Sequence, residues 1–67
     1  MRVKVDLESD ALYFRLSEDA IKDSEEVSPG IVVDYAKGGK VVGIEVLEVK
    51  KRFTREELST FKVDLPT

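Results

Sequence analysis

Between Val3 and Val49 apolar side chains recur mainly at every second position, in short runs broken by Gly, Pro, Ser or Asp. That period puts successive side chains on opposite sides of an extended backbone, so the chain is built for short strands in a sheet with two different faces. Val3, Val5 and Leu7 alternate with Lys4, Asp6 and Glu8; Leu12, Phe14 and Leu16 alternate with Ala11, Tyr13 and Arg15. Glu8-Ser9-Asp10 between them supplies turn chemistry and predicts a hairpin. Ser28-Pro29-Gly30 is a second turn, followed by Ile31, Val33 and Tyr35 against Val32, Asp34 and Ala36. Gly38-Gly39 is a hairpin signal. The next strand is expected from Val41 to about Val49, with Val42, Ile44 and Val46 on one face. Val41, Leu47 and Val49 lie on the other, interrupted by Gly43 and Glu45. Apolar on both sides, it belongs at the centre of the sheet under a cover.

The cover is a predicted C-terminal helix. Thr54-Arg55-Glu56-Glu57 fits a capping box, with Phe53 and Leu58 at the positions of a hydrophobic staple. Glu56 and Glu57 suit the positive end of the helix dipole. Pro66 limits the extension, and Val63 and Leu65 alternate around Asp64 as a final extended piece or a docked tail. Ser17 to Val27 reads two ways. Ser17 could cap a short helix over Glu18–Lys22, but Ile21 and Val27 suit the even spacing of a strand face. An exposed, irregular edge strand dressed with charge, which blocks edge-to-edge aggregation, is the preferred reading. The expected architecture is α+β: a single domain over residues 1–67, an antiparallel β-meander of four to five strands. One helix from about Arg55 to Lys62 packs on it.

Sixty-seven residues leave little core, and chains of this size commonly add disulfides, a metal or a partner chain. The sequence holds no Cys and no His, which removes disulfides, thiolate and imidazole catalysis and the usual zinc ligands. A partner chain is the remaining aid. No apolar run approaches the roughly 18 residues of a membrane span, and Met1-Arg2-Val3-Lys4-Val5-Asp6 is too charged for a signal peptide. A soluble, cytoplasmic protein is expected. Asn, Gln and Trp are also missing while 37% of residues are charged, a composition associated with thermophiles.

The order Asp10-Ala11-Leu12-Tyr13, Pro29-Gly30, Asp34-Tyr35, a glycine turn and Val41-Val42-Gly43-Ile44-Glu45-Val46-Leu47 resembles the DUF2283 family of small prokaryotic proteins of unknown function. The resemblance covers about residues 3 to 58 and implies a compact β-rich domain with a C-terminal helix. Ala36 stands where members often carry an acidic residue. The family brings no agreed catalytic residues, so none is carried over.

Candidate chemistry is sparse. Asp6, Glu8 and Asp10 start like a calcium loop, but Ala11 replaces the required Gly and Ser17 the bidentate Glu. Gly38-Gly39-Lys40 lacks the spacing and the helix of a phosphate loop. Tyr13, Arg15, Asp34 and Glu45 fall opposite the main core face and form a cross-strand patch if the register aligns them. Lys50, Lys51, Arg52 and Arg55 make a basic segment; residues 36–67 carry seven basic and five acidic side chains, net +2, against four and nine, net −5, in residues 1–35. No catalytic residue, cofactor or metal is expected, and the chain reads as a non-enzyme. The favoured function is a protein–protein interaction or regulatory module acting as a homo-oligomer. Its surface would draw on Tyr13, Arg15, Leu47, Val49, Lys50, Lys51, Arg52 and Arg55. The alternatives are small-molecule or ion binding at an oligomer interface and weak nucleic-acid binding through the basic segment, the latter disfavoured by Glu56, Glu57 and a pI near 4.9.

Overall fold

The computed structural model describes residues 1–66. Five strands, β1 (Arg2–Asp6), β2 (Ala11–Arg15), β3 (Asp23–Ser28), β4 (Ile31–Tyr35) and β5 (Val41–Leu47), form one antiparallel sheet in the order β1-β2-β5-β4-β3. The hairpin β1-β2 and the three-stranded meander β3-β4-β5 join where β5 pairs with β2. The strand that is apolar on both sides is therefore central, as the alternation predicts. Residues 16–22 carry the chain from β2 to the far edge, and the Leu16 and Lys22 amides donate to the carbonyls of Val42 and Tyr35 on the way. This loop takes the place of the short helix that Ser17 could have capped. β3 is the expected edge strand, exposed at all six residues and bulged between Glu26 and Ser28.

Register sorts the side chains into two faces. Val5, Leu12, Val46 and Ile31 lie in one row and Val3, Phe14, Ile44 and Val33 in the next, giving an apolar face. On the other side Lys4, Tyr13, Glu45 and Val32 form one row, and Arg2, Arg15, Gly43, Asp34 and Ser24 another.

Strand β5 ends at Leu47, two residues before the expected Val49. Glu48 is left-handed at φ 55°, which turns the chain out of the sheet. Val49 then opens a single helical turn, α1 (Val49–Arg52), and is completely buried beside Leu12 and Leu58. Val49 is thus a core residue and offers no interaction surface. No side chain of Glu48 caps α1; Asp10, from the β1–β2 turn, does so by accepting the Lys50 amide at 2.9 Å.

The predicted helix from Arg55 to Lys62 is also one turn, α2 (Arg55–Leu58). Its capping box forms as read: Thr54 Oγ1 accepts from the Glu57 amide at 3.1 Å, and Glu57 Oε1 accepts from the Thr54 amide at 2.8 Å. Ser59 ends it, because Ser and β-branched Thr60 propagate a helix poorly and a single turn gains little from propagation. Leu58 still docks on the sheet. Phe61 leaves the helical path and meets Phe14 edge-on, with centroids 6.4 Å apart, a pair worth about 0.5–1.5 kcal/mol beyond its burial. Among the described residues no helix is long and apolar enough to cross a membrane.

Candidate functional site

The polar face carries a connected network. Asp34, on β4, is nine-tenths buried, with 9% of its surface exposed. Its Oδ2 accepts from the Tyr13 hydroxyl at 2.8 Å and its Oδ1 from the Ser24 hydroxyl at 2.6 Å. Tyr13 is on β2, two strand spacings (about 9.6 Å) from β4, with β5 between them. Its hydroxyl reaches Asp34 only because the intervening residue is Gly43: a Cβ there would collide with the Tyr13 hydroxyl and crowd the Asp34 carboxylate. Arg15 Nη1 donates to the same hydroxyl at 3.4 Å and Nη2 to the Asp19 carbonyl at 2.8 Å. The Tyr13 hydroxyl raises the already high pKa of Arg15, whose guanidinium lies near the Asp34 carboxylate, which has no direct ion pair among the described residues.

The register therefore brings together three of the four residues expected to form a cross-strand patch, and places Glu45 directly opposite Tyr13. Lys4, Asp6, Ser9, Tyr13, Asp34 and Glu45 line an adjoining concavity of about 360 Å³. Ser24 and the role of Gly43 escape sequence reasoning, although a glycine inside a strand is itself a signal of close approach. Chemically, the Asp34 oxygens are occupied by hydroxyl donors from β2 and β3. The network ties the strands, and the charged groups that line the concavity outside the network are Lys4, Asp6 and Glu45.

The apparent calcium loop is used otherwise. Asp6 Oδ1 accepts from the Ser9 amide at 3.1 Å, which holds its carboxyl below the ordinary 3.8, and Asp10 caps α1.

The other predicted surface residues separate. Leu47 is half-buried at the end of β5. Lys51 pairs with Glu48 at 3.2 Å. Arg52 donates to the carbonyls of Leu47 and Pro29 at 2.9 and 2.8 Å, and so fastens α1 to the β3–β4 turn. Lys50 and Arg55 remain exposed. The basic segment is thus partly committed to holding the fold.

On the apolar face the two helical turns leave a groove of about 590 Å³. Leu12, Phe14 and Val46 form its floor, Phe53 and Leu58 its wall and Phe61 its end, with Glu56 and Glu57 on the rim.

The profile of the family described as "Protein of unknown function (DUF2283)" matches residues 2–50. The chain belongs to that family. The match takes in all five strands of the DUF2283 sheet and the start of α1, so the polar network lies wholly within it. Phe53, Leu58 and Phe61, which complete the groove, lie beyond it. No curated protein and no solved structure matches the chain.

Proposed function

We propose that this DUF2283 protein is a non-enzymatic interaction module that works as a homo-oligomer, with the apolar face of the sheet as its contact surface. The observation that carries the reading is excess surface. A compact monomer of 7.5 kDa exposes about 4,200 Å², whereas this chain exposes 5261 Å². The difference, about 1,000 Å², matches the roughly 800 Å² that each partner contributes to a standard interface. Exposed apolar side chains at Val3, Phe53 and Phe61 belong to that face or its border. The β3 edge is a poor alternative: it is bulged and bears Asp23, Glu25 and Glu26, devices that discourage strand addition.

Gel filtration coupled to light scattering tests the reading, and a monomer at micromolar concentration would sink it. A second reading, binding of a small polar molecule or ion, rests on the concavity beside Tyr13 and Glu45. It predicts a ligand-dependent rise in melting temperature that substitution of Glu45 abolishes.

A further inference from the structure

The groove on the apolar face and the C-terminal tail are complementary, and the geometry points to their exchange between two copies: the tail of one chain, anchored by Val63 and Leu65, fills the groove of the other, and reciprocally. This deepens the homo-oligomer reading and rests on it. Val63 and Leu65 are 82% and 78% exposed, yet they alternate with Lys62 and Asp64 in the pattern of a strand with one apolar side.

The chain's own groove is a poor destination. Thr60 and Phe61, the root of the tail, already line one end of it. Only Lys62 separates Phe61 from Val63, so return of Val63 into the groove needs a reversal over a reach of about 7 Å, with no Gly or Pro between them to make it. Residues 60–66 instead form neither helix nor strand, and Lys62 to Pro66 are exposed.

A second copy meets none of these constraints. It would enter past the rim, where the Glu57 carboxylate is engaged in the capping box while that of Glu56 has no ion pair among the described residues. Lys62, immediately before the first anchor, supplies the matching charge. Reciprocal exchange is isologous and closes at two copies. It also accounts for the surface excess at once, since it covers both the groove and the tail.

The chain has no native Cys, which makes a covalent test clean. In a full-length Phe53→Cys/Leu65→Cys variant, mild oxidation is expected to give a disulfide-linked dimer; an intramolecular disulfide in a monomer would overturn the exchange. In parallel, Val63→Asp/Leu65→Asp should weaken dimerisation about 100-fold or more, because two apolar anchors are lost. Both side chains are exposed in the single chain, so its strand circular dichroism should not change. Lys62→Glu and Glu56→Lys should each weaken the dimer about threefold, and their combination should restore it. A dimer that Val63→Asp/Leu65→Asp leaves as tight as before refutes the exchange but keeps the homo-oligomer. A wild-type chain that is monomeric at micromolar concentration removes both.

Discussion

Gly43 shows how one missing side chain organises a whole face. The Tyr13 hydroxyl and the Asp34 carboxylate occupy the space its Cβ would take. Gly43→Ala should therefore destabilise the fold by about 1–3 kcal/mol, as overpacking does, in a urea titration followed by circular dichroism. Combining it with Tyr13→Phe, which removes the colliding oxygen, should cost less than the sum of the two single changes. The same scale governs acid stability. Lys40, at 2.7 Å, and then the Ser17 hydroxyl hold the Asp19 carboxyl below its ordinary 3.8, and the Ser9 amide does the same for Asp6. A carboxyl lowered in the folded state adds stability that is complete above the unfolded value and disappears as pH falls through the folded one. The urea midpoint should thus be flat near neutrality and decline below about pH 4, with a shallower decline in Asp19→Asn.

At the scale of elements, helices of one turn depend on their ends. Such a segment cannot hold itself together by propagation, so α2 rests on the Thr54 cap and on Leu58 in the core. Thr54→Ala should cost about 1 kcal/mol and increase hydrogen exchange at the Leu58 and Ser59 amides, which bond to Thr54 and Arg55. The capping box and four of the five strands were legible in the chain because they are local patterns: a period of two, a Gly-Gly turn, a Thr followed by a Glu at N3; β3, whose only apolar residue is Val27, carries no such period, which is why Ser17 to Val27 read two ways. The extent of the helix was not. Nothing local shows that Phe61 gains more from Phe14 than from continuing the turn. Nor does period two reveal that Glu48 adopts a left-handed backbone; that conformation is repaid by burying Val49 under the sheet.

For the whole molecule, the dimensions are 36 × 36 × 19 Å, and the radius of gyration of 13.0 Å exceeds the roughly 11 Å of a compact chain this long. It is a slab with one face polar and knitted, the other apolar and partly covered. If that face associates, the melting temperature should rise with protein concentration over a hundredfold range, since a partner that binds only the folded state stabilises it by mass action. A concentration-independent melting temperature would count against association. The sequence-level case for a partner was one of elimination, since disulfides and zinc were excluded by composition. The slab shape and its partly covered apolar face add a candidate surface to that proposal.

Read alone, the 67 residues establish most of the segments that extend, the turns between them, the apolar sides of the alternating strands and the absence of thiol and imidazole chemistry, because each follows from composition or from neighbours a few positions apart. The sequence also carries the membership of residues 2–50 in the DUF2283 family. Tertiary structure alone decides the strand order that sets Tyr13 and Asp34 on either side of Gly43, the cap that Asp10 lends to a helix 40 residues away, and the groove left open beside Phe61. Those features depend on distances between segments remote in the chain, and side-chain alternation specifies a face without specifying its neighbour.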